Sequence, residues 1–441
     1  MNSILIYCEK SGPRLKYILH LLIEEFLGLG FSLTHDLNDY QNCQNAKINY
    51  SRNKHPDDFI FIPSCGLVQE SGIKEKSLQV GNWHHEPTLF NSAPEETIPF
   101  DLFSASFYLV SRYEEYLPHV RDQFERFEAE SSIAFQHQFL EKAIVNRWVN
   151  FLGEIITRIY PHLHINKPKF QFISTIDVDN AFAFKQKGIM RSLGGYVRGL
   201  VNLNRKNIVD RTKTIFGKMQ DPFDTYEFQL DLQRKYNLKV IYFFLLGDYG
   251  VNDKNLPSNN PYLRKLIKHL SDYALIGIHP SFGSNENAQQ VKKEISRLSG
   301  IVHKEIKQSR QHFSRLHFPG TYQTLIENGI VEDYSMGYHN HPGFRAGTSS
   351  AFNWYDLDTE TETQLKIFPF VFSESTLKFN LKIRPQDAIT KINFLIDEIK
   401  NTGGVFTSMF HNESLGDYGE WKGWKNFYEE IIKVTQNKKT Q

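Results

Sequence analysis

The sequence predicts an α/β protein in which a (β/α) barrel follows a smaller α/β domain. From about residue 169 onward, apolar runs that resemble buried strands alternate with amphipathic helical segments. Such alternation is typical of βα units and a parallel sheet. At least four of the apolar runs end in Asp or His. Because the carboxyl ends of the strands carry the active site of an α/β barrel, this pattern indicates a functional site at one edge of the sheet.

The first 160 residues predict a separate α/β unit. In chain order, we expect a strand at 3–8, a helix from Leu15 to Phe26, a short strand within 58–63, and helices at 100–116 and 136–159. The first strand is not followed by GxGxxG, so a dinucleotide site is not expected there. The polar segment His164–Lys169 is the predicted linker, which divides the chain into domains 1–165 and 166–441.

The second domain follows a regular pattern of strands and helices. Its predicted strands lie at 169–180, 237–250, 274–281 and 403–414. Its predicted helices lie at 223–235, 260–273, 286–307, 319–328, 385–400 and 421–435. Pro385 begins one of these helices, and Gly403 and Gly404 follow its end.

Composition excludes several classes of protein. The 441 residues carry 51 Lys and Arg against 50 Asp and Glu, so the formal net charge of +1 argues against nucleic acid or an anionic membrane as the main partner. An aromatic content of 14% argues against disorder. Three separated cysteines predict reduced thiols. We expect a cytoplasmic protein, since the sequence has neither the pattern of a signal peptide nor a transmembrane stretch.

Two acidic residues follow the first strand of the second domain. Asp177 and Asp179 are two positions apart, so on a strand both carboxylates face the same side. Two carboxylates on one side repel each other unless a cation lies between them or one is protonated. A general base beside a metal ligand is one arrangement that meets this condition, and a solvated acidic turn is the alternative.

Two histidines are candidates for the same metal. His279 ends an apolar strand, where a hydrogen-bonded core residue is the alternative, and His312 follows about one βα unit later. A short strand before His312 would bring it to the same edge of the barrel. One Asp and two His ligands suit Zn²⁺ with an open position for water, so Asp179, His279 and His312 are the predicted ligands of one divalent ion.

Two further motifs contribute candidate residues. Arg345 lies between small residues in a Gly-rich loop, where it could bind a substrate oxygen or lie in an ordinary turn. His411 ends the strand at 403–414 and is a candidate general acid or base near neutral pH.

The motifs TIDVDN, GIHPS, SRQHF, FRAG and MFHNES occur in an order that resembles the polysaccharide deacetylase superfamily (NodB homology, carbohydrate esterase family 4). The resemblance covers about 166–430. Within this superfamily, the sequence more closely resembles Bacteroidetes-type members that carry an uncharacterised N-terminal domain. The resemblance implies a distorted (β/α) barrel of about seven strands, one divalent metal ion, usually zinc, and removal of acetyl groups from sugars.

The resemblance also implies roles for individual residues. Asp177 is the expected catalytic base and His411 the expected proton donor. Arg310 is expected to orient the base, with Arg345 as its competitor. The family motif HxxxH lacks its second His after His279, and His312 is expected to replace it in preference to Ser284 or Asn285.

The leading hypothesis is therefore a metal-dependent de-N-acetylase acting on a sugar or a glycan precursor. Trp424, together with other aromatics such as Trp421, is a candidate for stacking on the sugar, and partly buried packing is the alternative for each of them. Another metal-dependent C–N hydrolase and a catalytically silent carbohydrate-binding or scaffold protein are the competing hypotheses.

Overall fold

The computed structural model describes residues 2–94 and 96–436. In chain order, the amino-terminal segment contains β1 (Ser3–Cys8), α1 (Pro13–Leu19), β2 (Gly30–Thr34), α2 (Leu37–Asn42), β3 (Lys47–Ser51), β4 (Phe61–Pro63), β5 (Gly81–Trp83), β6 (Glu86–Thr88), α3 (Leu102–Val110), α4 (Ile133–Gln136) and α5 (Ile144–Ile159). A π-helix over His20–Phe26 continues α1. A parallel sheet with the order β2-β1-β3-β4 and the antiparallel pair β5-β6 complete this segment.

Two predicted helices of this segment are shorter than expected. The helix expected over 100–116 ends with α3, because Arg112 adopts a left-handed conformation (φ 56°) before a short 3₁₀ helix. The helix expected over 136–159 begins only at Ile144 with α5, because Gln138 adopts a left-handed conformation (φ 59°) after the short helix α4. Left-handed backbone cannot continue a right-handed helix.

The remaining elements form the second segment. They are β7 (Gln171–Val178), α6 (Gly188–Val201), α7 (Arg205–Ile215), α8 (Tyr226–Tyr236), β8 (Lys239–Leu245), α9 (Pro261–Ser271), β9 (Leu275–His279), α10 (Ala288–Val302), β10 (Gln308–Ser309), α11 (Gly320–Glu327), β11 (Glu332–Asp333), β12 (Phe352–Asp356), β13 (Thr361–Ile367), β14 (Phe370–Ser373), α12 (Pro385–Thr402), β15 (Val405–His411) and α13 (Trp424–Gln436).

These strands form one large sheet with the order β12-β13-β11-β10-β9-β8-β7-β15-β14. Neighbouring strands are parallel except for β12 and β13. The predicted α/β class is confirmed, but the sheet has nine strands within the described residues instead of about seven. Sequence periodicity does not predict β10 to β14, and β10 and β11 have only two residues each, which is too short to show a pattern.

The large sheet is curled. Ile173 on β7 and Phe243 on β8 share a small buried core with Tyr334, which follows β11, although β9 and β10 separate β8 from β11 in the sheet. Contact between side chains of such distant strands requires the sheet to bend around them. This bend turns the carboxyl ends of the strands towards one another.

The two segments share no sheet, but they pack against each other through one continuous hydrophobic core. Polar contacts cross the same boundary. Arg147 on α5 donates to Glu398 on α12 at 2.7 Å, and Asn146 donates to the hydroxyl of Ser350 at 2.9 Å. The domain boundary between residues 165 and 166 stays a prediction.

None of the described helices combines the length and the hydropathy that are needed to cross a lipid bilayer.

Candidate metal centre and active site

The register of the large sheet brings the polar strand ends together. Asp177 on β7 is paired with His411 on β15, and Leu245 on β8 is paired with His279 on β9. Since these strands are parallel neighbours or next neighbours, the three polar side chains emerge at the same carboxyl edge. Asp177 and His279 are buried, whereas the His411 side chain is 17% exposed.

Asp179, His279 and His312 converge on one point. Asp179 Oδ1 lies 3.3 Å from His279 Nε2, and Asp179 Oδ2 lies 3.4 Å from His312 Nε2. One ligand atom from each residue lies within 4.8 Å of the other two. His312 reaches this point from a short 3₁₀ turn that follows β10. The structure therefore contains a candidate metal-binding group made of the three residues that the sequence predicts.

The two imidazoles are oriented to present lone pairs to this point. His279 Nδ1 donates to the Arg310 carbonyl, and His312 Nδ1 donates to Asp253 Oδ1 at 2.9 Å. Since a carbonyl and a carboxylate only accept hydrogen bonds, Nδ1 is the donor in both rings, and Nε2 is the atom of each ring that faces Asp179. Asp253 lies in the loop after β8, and the sequence analysis did not identify it.

The charges at this point also fit a cation. Asp179 Oδ1 is buried and has no geometrically satisfactory hydrogen bond among the described residues. Burial opposes its ionisation, but His312 and His279 hold the pKa of Asp179 well below its usual range. Burial would lower the pKa of His312, yet Asp179 and Asp253 raise it to about 9. The negative charge that attracts a proton to His312 also attracts a divalent ion, which would replace that proton.

Arg310 forms a buried ion pair with Asp177. Its Nη1 lies 3.1 Å from Asp177 Oδ1 and also donates to the Thr175 hydroxyl, while its Nε donates to the Tyr334 carbonyl at 2.9 Å. All of Arg310 is buried. The other carboxylate oxygen of Asp177, Oδ2, lies 3.8 Å from His279 Nε2, next to the candidate metal position.

His411 has an acidic partner that the sequence analysis did not find. Glu374, immediately after β14, accepts from His411 Nδ1 at 2.9 Å and from the His411 backbone N–H at 2.8 Å. His411 Nε2 therefore points the other way and lies 3.9 Å from Asp179 Oδ2. Burial disfavours the charged ring, but Glu374 and the two aspartates raise the pKa of His411 well above its ordinary value.

The structure does not bring Arg345 to the site. Arg345 is buried against the amino-terminal segment, where its Nε donates to Glu115 Oε1 at 2.9 Å and its Nη1 donates to the Gly337 carbonyl at 2.9 Å. Its charge is neutralised there, so it is not placed to bind a substrate.

Trp424 is also away from the site. It is only 2% exposed and packs on Phe427, whereas its neighbour Trp421 lines the site cavity. Asp248, another strand-end acid, is exposed and pairs with Lys293 and Arg297.

A cavity of about 380 Å³ lies at the carboxyl edge of the sheet. It is lined by the candidate catalytic and metal-binding side chains Asp177, Asp179, His279, His312 and His411. Phe124 and Arg126 from the amino-terminal segment form part of its wall. The ring of Phe124 lies 5.0 Å from the ring of Phe313, and Arg126 Nη1 donates to the Phe313 carbonyl at 3.1 Å. Both segments of the chain therefore shape this cavity.

Asp253 provides a test of the metal centre. We expect Asp253→Ala to weaken divalent-metal affinity by about 10- to 100-fold, because His312 loses the acceptor that fixes its ring. Metal titration with a competing chelator measures this change. Asp248→Ala, which removes an exposed acid from the same loop region, is the matched control and should bind metal like the wild type. If Asp253→Ala bound the metal as tightly as Asp248→Ala and the wild type, the role of Asp253 would be contradicted.

Comparison with family models finds a similarity in the amino-terminal segment. The model of DUF7033, a family of unknown function, matches residues 4–161. No curated protein matches the chain.

Several solved structures are similar to about 60% of the chain. A Mycobacterium smegmatis protein described as a polysaccharide deacetylase has 13% identity over 60% of this chain and 84% of its own, with a TM-score of 0.39. A polysaccharide deacetylase from Bacillus cereus has 11% identity over 59% and 88%, with a TM-score of 0.27. An allantoinase has 10% identity over 59% and 84%, with a TM-score of 0.35. At such scores these similarities do not support a function. A function has to be argued from the side chains of the site.

Proposed function

We propose that this protein is a metal-dependent hydrolase that removes the acetyl group from an N-acetylated sugar or glycan precursor. The observation that carries the proposal is the convergence of Asp179, His279 and His312 beside two further assemblies, Asp177–Arg310 and His411–Glu374. Amide hydrolysis needs a Lewis acid to polarise the carbonyl, a general base and a general acid. These three assemblies can supply one each, in that order.

Asp179, His279 and His312 would hold the divalent ion, with zinc the best match for one carboxylate and two imidazoles. Bound there, the ion would supply a Lewis acid that polarises the amide carbonyl and makes water more acidic. Three protein ligands leave a position open, which is typical of catalytic zinc sites.

Asp177 is the proposed base. Arg310 binds one of its oxygens, which leaves Oδ2 directed towards the candidate metal position to accept a proton from the attacking water. The hydrogen bond from Arg310 fixes the orientation of this carboxylate.

His411 is the proposed acid. Glu374 accepts a hydrogen bond from His411 Nδ1, so the second ring proton is on Nε2, which faces the cavity. From there this proton can be donated to the leaving sugar amine. Glu374 would stabilise the charged ring and act as a positioning residue.

The cavity is compatible with a sugar. It combines the aromatic side chains of Phe313, Phe379 and Trp421 with polar groups at its base. Apolar faces of a sugar ring can pack on aromatic side chains, and the polar groups can bind its hydroxyls.

Metal analysis of the purified protein followed by acetate release from N-acetylated sugars tests the proposal. We expect one divalent ion per chain, acetate release, and loss of that release on chelation with recovery on adding the ion back. Metal binding with hydrolysis of small amides but no acetate release would favour another C–N hydrolase. Absence of hydrolysis in the metal-loaded protein would favour a silent carbohydrate-binding or scaffold protein.

A further inference from the structure

A helical hairpin of unusual composition lies between β7 and α8. It comprises residues 185–218 and contains α6 and α7. A βα unit needs only one helix between β7 and β8, and α8 can be that helix, so the hairpin is an addition to the repeating pattern. Large apolar side chains on α6 are exposed to solvent, and Met190 is 82% exposed. The exposed set on this helix is Ile189, Met190, Leu193, Val197, Leu200 and Val201.

The exposed apolar side chains of α6 form one continuous stripe. At 3.6 residues per turn, the six positions fall within a sector of about 120°. Arg191 and Arg198 fall outside this stripe, beside one of its borders. This arrangement is an amphipathic helix with its apolar face directed away from the protein.

The contact between the two helices does not use this stripe. A Cβ on Gly199 would lie 2.8 Å from Ile208 of α7, and a Cβ on Gly195 would meet the guanidinium of Arg211 at 2.4 Å. The glycines therefore face α7 and allow it to approach closely. The apolar stripe of α6 is left without a partner among the described residues.

The hairpin is also strongly basic. Residues 185–218 contain nine Lys and Arg and a single acid, Asp210, which gives 9 − 1 = +8. The whole chain has a net charge of +1, so the remainder carries 1 − 8 = −7. Within residues 2–94 and 96–436, none of these nine cations has a carboxylate oxygen within 4.0 Å of its side-chain nitrogens, although other Lys and Arg residues do. The near-neutral charge of the whole chain conceals this local excess.

We infer that the 185–218 hairpin docks on the surface of an anionic lipid bilayer. An apolar helical stripe bordered by basic side chains, here Arg191 and Arg198, is the pattern of helices that lie in the membrane interface. The apolar side chains would enter the acyl region, and the long basic side chains would reach the headgroups. A second copy of the chain is a poorer occupant, since two hairpins of +8 repel each other.

The hairpin is next to the candidate active site. Lys187 and Lys206 line a second cavity of about 410 Å³, whose wall includes Glu413 and Trp421. Glu413 and Trp421 also line the cavity that contains the candidate metal ligands. Docking by the hairpin would therefore place the mouth of the proposed active site close to the lipid headgroups.

Vesicle flotation of the full chain tests the inference. We expect binding to vesicles that mix phosphatidylcholine with phosphatidylglycerol, little binding to phosphatidylcholine alone, and weaker binding as salt is raised. Absence of binding to the anionic vesicles at low salt would overturn the inference. The measurement does not depend on hydrolase activity, so it can fail or succeed separately from the proposed function.

Two variants separate the apolar and the charged contributions. Leu193→Ser/Val197→Ser/Leu200→Ser removes part of the apolar stripe, and we expect at least about tenfold weaker binding. Arg198→Glu/Arg205→Glu reverses two charges, and we also expect at least about tenfold weaker binding, since each basic residue near the surface contributes about fivefold. The replaced apolar side chains are exposed, so thermal melting should show that the first variant folds like the wild type.

Phe59→Ser/Val120→Ser is the matched control. It removes two exposed apolar side chains of the amino-terminal segment and should bind vesicles like the wild type. If this control loses as much binding as the α6 variant, binding does not depend on the hairpin and the inference is wrong. If the wild type self-associates and the α6 variant abolishes that association but leaves vesicle binding intact, the hairpin is a contact between copies and the inference is also wrong.

Discussion

His411→Ala is expected to keep its metal and lose most of its activity. His411 Nδ1 is bound to Glu374, and His411 lies outside the group of three ligand atoms that come within 4.8 Å of one another. Its replacement therefore leaves the proposed ligands in place but removes the acid, which would lower turnover by about 10²- to 10⁴-fold. Metal content and acetate release are measured on the same preparation.

His279→Ala is the comparison for this variant. It removes a proposed ligand, so both metal and activity should be lost. A His411→Ala protein that also loses its metal would make His411 a ligand, and the proton donor would have to be another group. Full activity in His411→Ala would exclude it as the acid.

Glu115→Ala is expected to destabilise the folded protein by about 3–5 kcal/mol. Glu115 accepts from Arg112 Nε at 2.7 Å and from Arg345 Nε at 2.9 Å, and all three side chains are buried. Without Glu115, Arg345 would remain as a buried charge that forms no ion pair with any other described residue. The free energy of unfolding, measured by urea titration, reports the loss. Glu430→Ala, which breaks an exposed pair with Lys433, is the control and should change stability by less than about 1 kcal/mol.

The effect of Glu115→Ala should depend on pH. Burial would raise the pKa of Glu115, but Arg345 and Arg112 lower it from 4.5 to about 2. A lowered folded-state pKa stabilises the protein above pH 4.5, and this contribution is lost as pH falls towards 2. The difference in unfolding free energy between wild type and variant should therefore shrink over that range. A difference that stays constant down to pH 2 would mean that the ionised carboxylate is not the stabilising group.

The proximity of the three candidate metal ligands could be predicted because they follow strands, two of which have clear apolar runs. Asp179 and His279 come at or just after the ends of β7 and β9, and parallel strands bring such ends to one edge. His312 was found from its spacing alone, although it lies on a 3₁₀ turn after a strand of only two residues. Spacing by one βα unit was sufficient because the sheet order follows the chain order there.

Glu374 and Asp253 were missed for different reasons. Glu374 follows the apolar run FVFS of β14, so the signal was present, but that short run was not recognised as a strand. Asp253 lies in an irregular loop, where no periodic pattern predicts which side chain turns towards His312. Arg345 was misplaced because its partner, Glu115, is 230 positions away in the chain, and sequence spacing contains no information about such a pair.

Because Phe124 and Arg126 contribute to the cavity, part of its wall is encoded in a stretch of the gene separate from the proposed reacting groups. Codons for the proposed ligands, base and acid all lie beyond position 170, whereas these two wall residues lie before 130. A library randomised at 124 and 126 can therefore alter which molecules enter the cavity while every proposed reacting group is retained. Directed evolution for a new substrate has a starting point there that leaves the metal ligands untouched.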